Sequence, residues 1–327
     1  MPWFRKTSKP QTRVGFVIGS DQLSLAHVED RQGVPHLLNC RSASLSSEKS
    51  APRVLSRLLK DLGAEGELCN LVLSPLDYHL YLVEAPSVDD SELRAAARWK
   101  VKDLLDGKPE DVAIDWFRVP QNAYRGRDMV YVVASPKARI RMLVDLVEEC
   151  GLRLESIDIP ELVMRNLAAH FVGDREGVAF MDLRAGGSTM NVTRQGELYL
   201  SRRINSKLDA NIMQTADWDA TRARLVMEIQ RSLDYYESQM AMPSISKLVL
   251  VQRRYDGIAL AAALGSELNA TVEVLDLDSS LSSDVRLPPE LQQLATLAIG
   301  ATLRQFADPS RSEAGSDAEP SDGEVAA

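Results

Sequence analysis

The 327-residue sequence predicts an α/β protein of two lobes with a small α+β subdomain inserted in the first. Three observations carry this expectation. Residues 14–29 (VGFVIGSDQLSLAHVE) and 178–198 (VAFMDLRAGGSTMNVTRQGEL) follow one template of apolar strand, tight polar turn and alternating second strand. That is the pattern of a β-hairpin. A hairpin repeated at domain spacing argues for two related lobes facing one another across a cleft. Between the copies, residues 68–151 read as strand, helix, strand, strand, helix, a block of the size of a subdomain.

The elements follow in order. After the first hairpin, APRVLSRLLKDL (51–62) places Val54, Leu58 and Leu62 on one helical stripe, and Gly63 ends it. Residues 68–74 and 79–84 are strands, the second stopped by Pro86. Residues 88–105 (VDDSELRAAARWKVKDLL) form a helix with acidic N-cap candidates and an inward stripe of Leu93, Ala97, Val101 and Leu104. Strands at 114–119 and 129–134 flank a turn at 121–126, and the helix 137–150 stops at Gly151. The second lobe is read as opening with a strand at 154–159 and a helix at 160–172 with Pro160 at its first position. After the second hairpin come a long amphipathic helix (219–240), a short buried strand (247–251), a helix (258–268), a strand (270–275) and a last helix (289–306). The boundaries expected are 1–12 for a flexible basic N-terminus, 13–153 for the first lobe with its insert at about 68–151, 154–307 for the second lobe, and 308–327 for a disordered acidic tail.

Composition narrows the function classes. The net charge of −9 is concentrated in the tail, where six acids face Arg311 alone, so five of the nine negative charges fall in 308–327. The remaining body is nearly balanced and offers no basic surface for nucleic acid. Cys40, Cys69 and Cys150 lack metal-ligand spacing and fit buried thiols in a reducing compartment, and the four histidines form no metal signature. No apolar run reaches the length of a membrane helix, and MPWFRKTSKPQTR lacks the apolar core of a signal peptide. Trp3 and Phe4 beside Arg5 and Lys6 leave open a membrane-surface contact or a frayed terminus.

The chemistry-bearing residues lie in the two turns. Gly19-Ser20 and the run from Ala185 to Thr189 could bring backbone N–H groups against phosphates, with Asp182 as the carboxylate that holds Mg²⁺. The same turns close ordinary hairpins. Asp182 is the less bland of these, since a carboxylate inside an apolar strand needs a partner. The first hairpin has Val17 at the matching place, which cannot ligate metal or orient water, and Asp21 in the loop is the one substitute on offer. Glu228, Arg231 and Asp234, at i, i+3 and i+6 of the long helix, read as a solvated face with local ion pairing. No nucleophile–base or paired-carboxylate constellation is present elsewhere.

Taken in order, these segments resemble the PilM family of type IV pilus assembly proteins, and more closely its MshI-like branch from mannose-sensitive pilus systems. The resemblance spans about residues 13–306 and is carried by the first hairpin, ELRAAARWKVKDLL, IDIPELVMRNLA, VAFMDLRAGGSTMNVTRQGELYLSRRI and EIQRSLDYYES. It implies an actin-like ATPase fold with an inserted subdomain, as in the cell-division protein FtsA. It also implies a cytoplasmic location peripheral to the inner membrane. The implied partner is a PilN/MshJ-like inner-membrane protein whose short cytoplasmic tail lies in the groove between the first lobe and the insert, so that membrane contact is indirect. The helix wall candidates for that groove are Glu92, Arg94, Arg98 and Lys102.

The nucleotide motifs depart from the family pattern. Its Asp-x-Gly is Val17-Ile18-Gly19 here, its second phosphate motif reads Asp182-Leu183-Arg184 where glycine is usual, and the strand before Gln252-Arg253-Arg254 lacks the paired glycines of the adenosine motif. Gly19, Ser20, Asp182, Gly186, Gly187 and Thr189 are therefore vestigial cofactor-binding candidates. The expectation is a scaffold without enzymatic activity and without a cofactor. The alternatives are an active ATP-Mg-binding assembly ATPase and an FtsA-like membrane-attached filament-former.

Overall fold

The tripeptide Arg-Gln-Gly occurs at 31–33 and again at 194–196, and each copy reverses the chain. Gln32 and Gly33 have φ of 61° and 84°, and Gln195 and Gly196 have φ of 53° and 77°. Positive φ at both central residues makes a two-residue turn whose twist matches the flanking strands. Each hairpin read from the sequence is consequently the start of a three-stranded meander. The computed structural model describes residues 11–306, apart from 106, 185–186, 207 and 209–210.

In the first lobe, β1 (Thr12–Ile18), β2 (Gln22–Arg31) and β3 (Val34–Ser44) run antiparallel, with α1 (Ala51–Leu62) packed beneath and β4 (Leu68–Val72) parallel to β1. The insert follows: β5 (His79–Glu84), α2 (Asp90–Val101), β6 (Val112–Arg118) and β7 (Met129–Pro136), with sheet order β5-β7-β6. Leu93, Ala97 and Val101 of α2 are fully buried against Val130 and Val132 of that sheet. Leu104 is not part of this stripe. The helix gives way to a tighter turn at Lys102–Leu104, which leaves Leu104 54% exposed.

The chain returns to the first sheet through α3 (Lys137–Glu149) and β8 (Arg153–Asp158), which pairs parallel with β4. Here the structure corrects the sequence boundaries. The insert sheet and its helix occupy 79–136, not 68–151, because β4 pairs in the first sheet and Leu143, Leu146 and Val147 of α3 enter the first-lobe core. The strand assigned to the start of the second lobe is the last parallel strand of the first. Periodicity identifies a strand but not the sheet it joins.

The second lobe repeats the plan. After α4 (Pro160–Leu167), β9 (Val178–Asp182), β10 (Ser188–Arg194) and β11 (Glu197–Ile204) form the meander. Then come α5 (Trp218–Asp234), β12 (Lys247–Leu250), α6 (Gly257–Gly265) and β13 (Thr271–Val274), with β12 parallel to β9 and β13. The sheet orders are β3-β2-β1-β4-β8 and β11-β10-β9-β12-β13, the same path traced twice, with a short β14 (Ser282–Ser283) added beside β3 after the turn α7 (Leu277–Ser280). α4 and α5 end at Leu167 and Asp234, short of their expected ends at 172 and 240, and each is followed by one wide π-type turn, at Ala168–Val172 and Tyr235–Gln239.

The last helix, α8 (Pro289–Thr302), crosses back onto the first sheet and not the second. Two glycines permit that. A Cβ on Gly15 of β1 would overlap the Ala298 carbonyl oxygen, and one on Gly300 would lie 2.6 Å from Val163 Cγ1 of α4. Between the lobes, α4 and α8 share a core with Ala26, Val72, Phe180 and Val249, drawn from both large sheets. Asn70 ties α8 down by donating to the Ala301 carbonyl at 2.8 Å, and its own Oδ1 accepts from Ser156 at 2.9 Å.

Candidate functional site

The first polar turn faces the residues that follow β9 across a cleft of about 540 Å³. Val17, Gly19, Asp21 and Gln22 line it from the first lobe, Leu183 and Arg184 from the second, and Arg253, Arg254 and Tyr255 from the segment after β12. α8 closes one side with Gln293, Leu294 and Leu297.

Asp182, the final residue of β9, is 1% exposed. Arg184 Nε donates to its Oδ2 at 2.6 Å and the Arg184 terminal nitrogen bonds the same oxygen. Arg253 holds Oδ1 with Nε and a terminal nitrogen, both at 2.7 Å. The remaining terminal nitrogen of Arg253 donates to the Gln293 carbonyl at 2.7 Å, tying the clamp to α8. Burial by itself would raise the Asp182 carboxyl, but the two guanidiniums outweigh it and hold the group down at about 2.

This donor set does not fit magnesium-held phosphates. Both Asp182 oxygens are engaged by cations, so the carboxylate has no oxygen to offer a metal and no basicity to offer a proton. Val17 presents methyl groups where the opposing lobe would need an acid. Asp21 is exposed at the cleft rim, and Ser20 is exposed beside it with its Oγ 3.4 Å from Asp21 Oδ1. Among the described residues, no three His, Cys, Asp or Glu side chains converge as metal ligands.

The vestigial candidates therefore divide. Gly19 lines the cleft, with Asp21, the substitute weighed for Val17, beside it, while Gly187 and Thr189 line a different cavity on the insert side of Arg184. Gly186, the N-terminal 1–10 with Trp3 and Phe4, and the tail 308–327 lie outside the described residues. Sequence reading counted Arg184 and Arg253 only as departures from a pattern; the structure makes them the partners that a buried Asp182 requires. The signal was available, since a carboxylate in an apolar strand must meet a cation or a donor set.

A second candidate site is a groove of about 300 Å³ between the insert and the first lobe. It runs between β6 and β8, each the edge strand of its sheet. Leu73, Ile114, Trp116, Ile140, Ile157 and Ile159 form the apolar lining. At its rim Arg94 pairs with Asp115 at 3.0 Å and Arg304 with Asp158 at 3.3 Å.

Of the four predicted wall residues, Arg94 alone lines this groove. Arg98 donates to the Pro109 and Val112 carbonyls, Lys102 lies 5.4 Å from the Trp99 ring centre, and Glu92 is exposed on the outer part of α2. The wall is β6 and not α2, because the helix stripe Leu93–Ala97–Val101 is buried against Val112, Ile114, Val130 and Val132 of the insert sheet, while β6 supplies Ala113, Ile114, Asp115, Trp116 and Phe117 to the groove.

No protein-family model matches the chain, and no curated protein sequence matches it. Among solved structures it is similar to the "PilM-PilN type IV pilus biogenesis complex", with a TM-score of 0.69 and 19% identity over 91% of this chain and 99% of that one. It is also similar to a Bacteroides thetaiotaomicron protein of actin-like ATPase fold and unknown function (TM-score 0.49, 10% identity, 90% and 99% covered). A third is the cytoplasmic domain of EpsL, an inner-membrane component of the Vibrio cholerae type II secretion system (TM-score 0.47, 12% identity, 88% and 95% covered). The fold is actin-like. Its repeated sheet order, interlobe cleft and crossing helices α4 and α8 are the frame on which both candidate sites are built.

Proposed function

We propose that this chain is a scaffold of a type IV pilus assembly machine, of the mannose-sensitive type, that grips the short cytoplasmic tail of a PilN/MshJ-like inner-membrane protein and has lost nucleotide chemistry. The observation that carries the reading is the apolar groove between the free edges of β6 and β8. Two edge strands present unpaired backbone groups to an extended peptide, and the apolar lining receives its side chains. The similarity to a PilM–PilN complex supports a pilus partner of this kind. In this reading the protein works on the cytoplasmic side, held at the inner membrane through its partner. No helix among the described residues is long and apolar enough to cross a bilayer.

Ordering a short tail costs conformational entropy, so a single tail binds modestly and assembly adds strength through multivalency. Calorimetry with the cytoplasmic tail peptide of a bitopic protein encoded beside this one should give a micromolar dissociation constant. Trp116→Ala, which removes an aromatic wall of the groove, should weaken it by roughly tenfold. Binding that is indifferent to Trp116 and Arg94 would place the peptide elsewhere.

The loss of nucleotide chemistry is supported by the Arg184–Asp182–Arg253 clamp and by Val17. Titration with ATP and Mg²⁺ should show no saturable binding below about 1 mM. Micromolar binding would favour the active assembly-ATPase reading instead.

A further inference from the structure

A cavity of about 620 Å³ lies where the insert meets the second lobe, apart from both sites above. β5 and β11 border it, and each is the edge strand of its sheet, so no strand among the described residues fills the gap. Across the β10–β11 pair Thr189 stands directly opposite Arg203, which sets both side chains on one face of the sheet, and both line this cavity. Arg203 is exposed and has no ion pair or hydrogen bond among the described residues. Ser206, only 5% exposed, also lines the cavity, and its Oγ has no hydrogen-bond partner among them. A buried hydroxyl without a partner is costly unless a ligand or water completes it.

The charges around these groups are unbalanced. Glu161 is the one carboxylate among the described lining residues, and it accepts from the Tyr78 hydroxyl at 2.5 Å. Burial pushes its carboxyl toward the neutral form, against the pull of that bond and of Arg184 and Arg203. Tyr78, Leu80, Tyr131 and Ile204 give the wall apolar and aromatic surface, and Ser188, Ser201 and Asn205 give it polar surface. The volume is in the range of small-molecule sites.

We infer that this cavity binds a small organic anion, its phosphate or carboxylate head received by Arg203, Thr189 and Ser206 and its apolar or ring body lying against the tyrosines. Gly187 and Thr189, which line this cavity and not the interlobe cleft, thereby border a ligand site separate from the cleft that the Arg184–Asp182 pair occupies. The inference is independent of the peptide groove.

Calorimetry of the full chain with phenyl phosphate and with benzoate tests it. At least one should bind at submillimolar concentration, and the tighter of the two assigns the head group. Arg203→Ala should weaken that binding by roughly tenfold or more, since a charge-assisted contact is lost, and being exposed it should leave thermal unfolding unchanged. Ser206→Ala should weaken it severalfold. Glu161→Gln, which keeps an acceptor for Tyr78 and removes a negative charge, should leave binding equal or tighter. The inference is overturned if neither probe binds below about 10 mM, or if Arg254→Ala in the interlobe cleft abolishes binding while Arg203→Ala does not.

Discussion

Asp182→Ala is expected to destabilise the protein by about 3–5 kcal/mol, because it strands two guanidiniums against a buried site with no counter-charge. Asp182 is 1% exposed, and side-chain exposure is 27% for Arg184 and 17% for Arg253, so solvent screens the cations only in part. Removing one of the stranded charges as well, in Asp182→Ala/Arg253→Met, should recover part of the loss. Urea denaturation measures both variants. The wild-type carboxyl also titrates differently in the two states, at about 2 folded against 3.8 ordinarily. A depressed folded value means the stabilisation is full above pH ~4 and is lost as pH falls through about 2, a contribution of about 2 kcal/mol. The variant should therefore show a flatter acid limb over that window. In a working metal-nucleotide site the same substitution would abolish ATP binding and barely move the urea midpoint; that pattern would refute the clamp.

Gly15→Ala is expected to cost about 3 kcal/mol, at the upper end of overpacking effects, and to lower the melting temperature by about 6–10 °C. The added methyl would overlap the Ala298 carbonyl oxygen and sit 2.9 Å from Thr302 Cγ2. The obstacle is backbone of α8, so no rotamer change relieves it, and the helix must lift from β1. α8 carries Gln293, Leu294 and Leu297 at the cleft, and Arg304 just beyond its end lines the groove proposed for the partner's tail. Its displacement should accordingly weaken tail binding as well as stability. Gly265→Ala is the contrast: the nearest atom to its Cβ is Val272 Cγ2 at 3.8 Å, so the change should be neutral or stabilising by a few tenths of a kcal/mol. Equal effects at the two positions would show that α8 does not rest on β1 as described.

The cysteines behave as their lack of spacing suggested. All three are buried and free, and burial pushes the Cys40 thiol up to about 11 and the Cys69 thiol up to about 12. Protonated thiols of that kind are poor nucleophiles and poor metal ligands. On the long helix, Arg231 lies 3.6 Å from Glu228, and Asp234 accepts from Gln230, which agrees with a solvated paired face.

Most of the secondary structure was legible because periodicity, caps and glycine stops are local. The third strand of each meander was legible too, had the repeated Arg-Gln-Gly been read as a turn at both 31–33 and 194–196. The ends of α4 and α5 were not, since nothing in the local apolar pattern distinguishes an α-helical turn from the wide turn that follows each.

By itself, the sequence determined that two lobes share one plan, that an α+β block interrupts the first, and that Val17 and Arg184 stand where the PilM-like pattern it resembles carries an acid and a glycine. Only the tertiary structure decided that β8 and α8 belong to the first sheet, that Arg253 closes on Asp182 from across the lobe, and that β6 instead of α2 walls the groove. The reason is physical. Strand and helix patterns record which face of an element is apolar, whereas a sheet partner, a counter-ion 71 residues away or a groove between two edges depends on contacts that only the folded chain brings together.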